Sequence, residues 1–277
     1  MMTALVYVVV LNWNGWRDTV ACVASLQKLD YPNLNLLIVD NGSTDGSVEH
    51  IKKAMPAVEL IQTGANLGFG GGCNVGIRFA LERGADYLWL INSDATVDAD
   101  ALAAMVRCAE KNPSFGAVGA VIYEADQPEK IQLWGGGTVN LWLGRSRHRT
   151  AAGPLDFISG ASLLLRRDAV ECVGLFDEAL FFMYWEDTDL SFRLRRAGWQ
   201  LAVADDARVW HKQAASLGKR NPLLDEYFSR SGVRFLQRYA PFPLVSIVVM
   251  LGLRLAKRLF FGDIHRAMAV VKGAKEA

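Results

Sequence analysis

Five short clusters in this chain carry side chains that could do chemistry. Glu186, Asp187 and Asp189 follow five apolar or aromatic residues at 181–185. A carboxylate held in a partly dry cleft gains affinity for a proton, which suits a general base. The same acids would also complement the dipole of a helix that starts there. In LINSDATV, residues 90–97, an apolar run ends in Asn92-Ser93-Asp94. Side chains two apart on a strand share a face, and hard oxygen donors of this kind hold Mg²⁺ or Mn²⁺ against a diphosphate; an Asx turn is the other reading. His211, after Val209 and Trp210, reads as a third metal ligand or as a structural imidazole. In VDNGSTDGS, residues 39–47, Asp40 could accept the imide N–H of uracil or thymine, or a ribose hydroxyl, while Ser43, Thr44 or Asp45 could cap the next helix. GANLGFGGGCNVGI, residues 64–77, reads as a glycine-rich turn whose backbone N–H groups and following helix suit a diphosphate, or as a loop without a ligand. It lacks the GK[ST] of a Walker loop and the spacing of a dinucleotide fingerprint.

These clusters need elements that bring them together. Strands are expected over 6–11, 35–39, 58–62 and 87–91, alternating with helices over 16–29, 47–55, 72–83 and 98–111. That order implies an α/β fold with a mostly parallel sheet and right-handed crossovers. Ligands of such sheets sit beyond the C-terminal strand ends, where Asn12-Trp13-Asn14-Gly15, 40–46, 64–72 and 92–94 all fall. Further strands are expected over 117–123 and 155–165. Between them, Trp134-Gly135-Gly136-Gly137 and Arg145-Ser146-Arg147-His148-Arg149 read as a loop over the site. A polar turn and a helix follow at 176–196, then two short edge strands at 200–203 and 209–211. We expect a catalytic domain over 1–215 and helices over 216–277.

The totals exclude several classes. Of 277 residues, 51% are hydrophobic and 21% charged, with a net charge of +1, so no global field points to nucleic acid. Cys22, Cys73, Cys108 and Cys172 are widely spaced and fit reduced thiols in a cytoplasmic chain. No basic segment precedes the first apolar run, which argues against a signal peptide. The apolar stretch at 242–253 is too short for a bilayer, which takes roughly 20 residues. Arg230, Arg234, Arg238, Arg254, Lys257 and Arg258 lie among aromatic and aliphatic residues. This fits either a helix on an anionic inner-membrane surface or a core or homodimer contact.

Over roughly residues 5–240, the order VVVLNWNG, VDNGSTDGS, NLGFGGGCNVGI, LINSDATV, the acidic segment and VWH resembles the family-two glycosyltransferases of the nucleotide-diphospho-sugar transferase (GT-A) fold. The N-x-N-G start, Trp134-Gly135-Gly136 and the spacing of the acidic segment are most similar to bacterial rhamnosyltransferases, which use dTDP-L-rhamnose to build O-antigen or other surface polysaccharide. The resemblance implies that Asp40 contacts the base, that Asn12, Asn14 and Asn66 line the nucleotide pocket, and that Gly68, Asn92, Ser93 and Trp185 meet the donor. It implies Asp94 and His211 as ligands of Mg²⁺ or Mn²⁺, Asp187 as the base, and Glu186 beside it. Gly160 and Ala161 match a segment that approaches substrate through its backbone. Asn92 stands where the family's D-x-D motif has its first Asp. The implied reaction is inverting transfer of L-rhamnose from a nucleotide-sugar donor to a glycan or polyprenyl-linked acceptor; a UDP-hexose donor is the alternative. A nucleotidyltransferase would want a Gly- and Lys-rich loop in place of NWNGWRD. A non-catalytic glycan-binding protein would not need the acidic segment.

Overall fold

The computed structural model describes residues 3–212 and 221–277. Strands β1 (Val6–Asn12), β2 (Leu34–Asp40), β3 (Glu59–Gln62) and β4 (Tyr87–Asn92) alternate with helices α1 (Trp16–Leu26), α2 (Ser47–Ala54) and α3 (Gly68–Glu82). Then come β5 (Ala95–Val97), α4 (Ala101–Lys111), β6 (Phe115–Glu124), β7 (Gln127–Trp134), β8 (Gly136–Asn140) and β9 (Arg145–His148). The remainder is β10 (Phe157–Ile158), β11 (Ser162–Arg166), α5 (Arg167–Val173), α6 (Glu186–Arg196), β12 (Gln200–His211), α7 (Pro222–Tyr239), α8 (Pro243–Phe260) and α9 (Ile264–Lys275).

The main sheet runs β3-β2-β1-β4-β11-β6-β12-β5, with β7 added to β6. β1, β2, β3 and β4 are mutually parallel, as the βα alternation requires, and β11 inserts antiparallel between β4 and β6. Register puts Asn12 beside Asp40, Asp40 beside Gln62 and Leu11 beside Asn92, so the polar clusters share one edge. The uninterrupted apolar strands are buried on both faces, one under α1, α2 and α4 and the other under α3, α5 and α6.

Several expected elements change. Residues 127–149 are not a loop: β8 pairs with β9 and β10 in a second, three-stranded sheet. The glycine triplet signals close pairing rather than a turn, because a Cβ on Gly136 would sit 1.9 Å from the Phe157 carbonyl oxygen. Residues 200–211 form one continuous strand, interior between β6 and β5, with a bulge between Ala204 and Arg208 that mimics a break. The 155–165 strand divides at Ser159-Gly160-Ala161. The glycine-rich turn is the start of α3, and its glycines let the helix lie close on the sheet: a Cβ would meet the Leu11 side chain at 2.5 Å from Gly72, and that of Val9 at 2.5 Å from Gly76.

For most of the C-terminal arginines the structure takes the core-contact alternative of the sequence reading. Arg230 pairs with Glu276, Arg238 with Asp177 and Asp189, and Arg254, Arg258 and Arg266 converge on buried Asp225. Arg234 donates to the Leu180 carbonyl. They bind the helices together; of the six, Arg234 reaches only backbone carbonyls, and Lys257 has no hydrogen-bond or ion-pair partner among the described residues. The expected boundary at 215/216 lies outside the described residues.

Asn74 ties α3 to the segment before α6. Its Nδ2 donates to the Phe176 carbonyl at 2.9 Å and to Glu178 Oε2 at 2.6 Å, and its Oδ1 accepts from Phe176 N–H at 3.0 Å. Asn74→Ala leaves buried backbone groups unpaired and should lower stability by about 3 kcal/mol in urea denaturation; a loss within error would show the staple to be dispensable.

Candidate functional site

A cleft of about 640 Å³ opens at the C-terminal edge of the sheet. Asn41, Asn66, Gly68 and Phe69 line one part, and Asn92, Ser93, Asp94 and His211 another. Residues 183–188, the 159–161 break, Gln132 of β7, Ser146 and His148 of β9, and Leu224 and Phe228 of α7 complete it.

Asp94 lies in the turn between β4 and β5 rather than on the strand. The antiparallel pairing of β12 with β5 brings His211 opposite Ala95, beside that turn. His211 Nε2 stands 3.1 Å from Asp94 Oδ1 and 3.1 Å from Asn92 Nδ2. On the far side of the ring, Nδ1 is 2.9 Å from Gln132 Oε1. That oxygen only accepts, so the Nδ1 proton is committed to it. In that tautomer the Nε2 lone pair accepts from Asn92 Nδ2 and lies beside the Asp94 carboxylate, a pair of oxygen and nitrogen donors that suits a cation. Among the described residues, no three His, Cys, Asp or Glu gather around one point. An ion here would take Asp94, His211 and, through its amide oxygen, Asn92, with the remaining positions open to a ligand's oxygens.

The acidic wall begins with backbone in an uncommon conformation. Tyr184 and Trp185 both have left-handed φ, 67° and 70°, immediately before α6. This turns Glu186 and Asp187 into the cleft. Asp187 Oδ2 accepts from Gly160 N–H at 2.9 Å, and Oδ1 accepts from Thr188 N–H at 2.6 Å and its hydroxyl at 3.1 Å. Glu186 is buried and its Oε2 has no partner among the described residues. Burial, reinforced by the neighbouring charge of Asp187, pushes its carboxyl well above the ordinary value of 4.5. The Trp185 indole N–H is likewise buried without a partner. Asp189 does different work: it is fully buried, pairs with Arg193 and Arg238, accepts from the Tyr239 hydroxyl, and holds α6 in place.

Asn12, Asn14 and Asp40 do not line the cleft. Buried Asn12 donates to Asp40 Oδ1 at 2.7 Å and to Ser43 Oγ at 3.0 Å, and accepts from Thr19 at 2.7 Å. Asp40 Oδ2 accepts from Ser43 N–H, and Asn14 Oδ1 from Thr44 N–H. This network shapes the 40–46 loop. Asn66 Oδ1 accepts from Gly68 N–H and from Asn41 Nδ2, Asn41 Oδ1 accepts from Leu67 N–H, and Phe69 N–H reaches the Phe182 carbonyl. The N–H groups of Leu67, Gly68 and Phe69 therefore have partners within the chain, which leaves less of an open anion cradle here than the turn suggested.

The profile described as "Glycosyl transferase family 2" matches residues 7–174. This chain belongs to that family. An N-acetylglucosaminyl-diphospho-decaprenol L-rhamnosyltransferase of Mycobacterium tuberculosis is 31% identical over 244 residues, which is 79% of each chain. A poly-beta-1,6-N-acetyl-D-glucosamine synthase of Staphylococcus epidermidis is 27% identical over 207 residues, 73% of this chain and 48% of that one. The mannosyltransferase PcManGT from Pyrobaculum calidifontis, solved with GDP-Man and Mn²⁺, superposes with a TM-score of 0.63 at 18% identity, covering 100% of this chain and 77% of the other. GalNAc-T7 with UDP, GalNAc and Mn²⁺ gives 0.70 at 15%, covering 99% and 55%. At these identities the two structures establish the fold, GT-A, as the resemblance implied.

In this family-two chain the sequence reading missed Gln132 and Asn41, and it placed Ser146 and His148 over the site as loop rather than strand. Asn41 sat unremarked inside VDNGSTDGS. The other three belong to strands read as loop, and no local signal marks a side chain that becomes functional only through cross-strand pairing. The Glu186 geometry has a consequence for stability. A carboxyl whose folded value is raised contributes stability that is intact below about 4.5 and lost as pH climbs toward the raised value. Glu186→Gln should therefore be more stable than the parent at pH 8, with the gap closing as pH falls toward 4.5. Thermal unfolding across pH tests this; a gap that does not vary with pH would remove the raised carboxyl.

Proposed function

We propose that this chain is an inverting, metal-dependent glycosyltransferase that moves L-rhamnose from dTDP-L-rhamnose to a hydroxyl of a polyprenyl-diphosphate-linked glycan. The observation that carries the reading is one cleft holding both a backbone-oriented carboxylate, Asp187, and the Asp94–His211 pair. The Mycobacterium tuberculosis relative, whose name specifies a rhamnosyl transfer to a lipid diphosphate, supports the donor and acceptor.

Asp187 is the base in this reading. Gly160 and Thr188 fix its two oxygens while leaving lone pairs for an acceptor hydroxyl. As that proton moves to Asp187, the acceptor oxygen attacks the anomeric carbon from the face opposite the diphosphate, and the configuration inverts. Glu186, whose carboxyl burial and the Asp187 charge push upward, faces the cleft with an unpartnered oxygen that can hydrogen-bond a sugar hydroxyl. Asp40, buried behind the cleft, serves the base indirectly by fixing the 40–46 loop through its bonds with Asn12 and Ser43. Asn12 and Asn14 serve the nucleotide by holding the 40–46 loop, while Asn66, Gly68, Asn92, Ser93 and Trp185 line the donor's path. Phe69, Tyr184, Trp185 and Phe228 restrict water. Mg²⁺ or Mn²⁺ held by Asp94 and His211 would neutralise charge on the departing diphosphate. A UDP-hexose donor is the second reading, supported by the name of the N-acetylglucosamine polymerising relative.

Asp187→Asn should lower transfer about a thousandfold while leaving donor affinity within about twofold. Near-parental turnover would remove Asp187 as the base. Donor binding measured across dTDP-rhamnose, UDP-sugars and GDP-sugars, with Mn²⁺ and then with chelator, should favour dTDP-rhamnose and weaken on chelation; a preferred UDP-sugar would overturn the rhamnose assignment. Gln132→Leu frees the His211 ring and should weaken Mn²⁺ binding about tenfold. Nitrogen NMR of His211 should show the Nδ1–H tautomer in the parent and a mixture in the variant. An unchanged tautomer would show that Gln132 does not set it.

A further inference from the structure

Helix α8 has two unlike halves. Its inward half carries buried Ser246 and Met250, and Arg254 and Arg258 on Asp225. Its outward half presents Leu244, Val245, Val248, Leu253, Leu259 and Phe260, exposed by 80, 53, 70, 47, 58 and 84%. At helical spacing, no charged or hydrogen-bonding side chain interrupts that face. Eighteen residues make it about 27 Å long. The face continues on both sides. Exposed Trp142, at the tip of the β8–β9 hairpin, stacks on exposed Phe242 with ring centroids 5.4 Å apart. On α9, Ile264 and Met268 add 62 and 63% exposed side chains one turn apart. An apolar surface of this extent is far from ordinary for an isolated chain.

We infer that this face docks on an anionic lipid bilayer, with α8 lying in the plane of the surface. The charges identify the occupant. Residues 134–149 and 240–262 contain no Asp or Glu. Lys257 lies on α8 between the turns of Leu253 and Phe260, and Arg145 and Arg147 lie on β9 just after the hairpin tip that carries Trp142; all three are exposed and without side-chain partners among the described residues. All four acids of 221–277 are engaged: Asp225 by three arginines, Glu226 by Lys272, Glu276 by Arg230, and Asp263 as the cap of α9. A second copy packed face to face would set these cations against their own duplicates with no acid to meet them. Anionic headgroups supply the missing charge, and the Trp142–Phe242 pair suits the interfacial layer. No described helix is long and apolar enough to cross a membrane, so the surface lies on the bilayer.

The position bears on the cleft. The β8–β9 hairpin that carries Trp142 also lines the cleft with Ser146 and His148, and α7, against which α8 packs, lines it with Leu224 and Phe228. A polyprenyl acceptor in the bilayer would thus present its glycan on the side where the hairpin and α7 meet. This last point rests on the proposed function; the docking surface itself does not, and vesicles free of donor and acceptor test it alone.

The test is co-sedimentation of the full chain with vesicles of phosphatidylcholine, alone or with roughly one-third phosphatidylglycerol. The parent should bind the anionic vesicles. Val248→Asp with Phe260→Asp should weaken that binding by about tenfold or more at an unchanged unfolding temperature. Arg147→Glu with Lys257→Glu, which leaves the apolar face intact, should bring anionic binding down to the neutral-vesicle level. Failure of the parent to bind either vesicle, equal binding by parent and apolar-face variant, or a parent dimer that the same substitutions dissociate without any vesicle binding would each overturn the inference.

Discussion

The hydrogen bond from Gly160 N–H to Asp187 is the junction on which the cleft depends. Had residues 155–165 run as one regular strand, that N–H would have been spent on a ladder partner. The break at 159–161 frees it for the carboxylate, while the next residue's carbonyl, that of Ala161, accepts from Asn92 N–H. One three-residue interruption thus ties α6, which carries the acids, to the end of β4, which carries Asn92 and leads into Asp94. The room is tight: a Cβ on Gly160 would come within 3.0 Å of the Phe69 ring. Strain or drift at this point would move both walls of the site together.

The parallel half of the sheet was legible because each of its strands is an apolar run followed by a helix with clear periodicity, and the polar clusters mark the strand ends. The cleft residues Asn66, Gly68 and 92–94 were legible for the same reason. Less could be read where function comes from pairing across long separations. Gln132 meets His211 only because β7 and β12 flank β6, and β7 looked like loop next to a glycine triplet that in fact permits close strand contact. The arginines of 230–258 read either as a basic membrane face or as a core or dimer contact; the partners that favour the core contact, Asp225, Asp189 and Glu276, lie where sequence spacing gives no hint of contact. The glycines of 70–76 suggested a phosphate loop, since a helix packed unusually close to a sheet and a flexible turn ask for the same residue.

The C-terminal helices are packed into the site region itself. Phe181 and Trp185 share a core with Phe235, Leu236 and Met250, and Ser231 donates to the Met183 carbonyl at 2.8 Å. Arg254 lies over the Phe228 ring at 4.1 Å, close to the cleft wall, and burial draws its guanidinium down to about 10, still charged near neutral pH. The apolar outward face of α8 and the acids of α6 are therefore parts of one packed layer, with no linker between them among the described residues.

The paired left-handed residues Tyr184 and Trp185 each hold a conformation that an L side chain adopts at a penalty of about 1 kcal/mol or more. Both rings are also packed, Tyr184 against Phe228 and Trp185 against Phe228 and Phe235. Glycine would relieve the backbone but discard the packing, so neither position has a substitution that improves both. Selection for thermostability alone would find this turn an obstacle, while a proposed role of the acids that follow it would set selection for turnover against its removal. In laboratory evolution of this chain, residues 184 and 185 are where the two pressures separate.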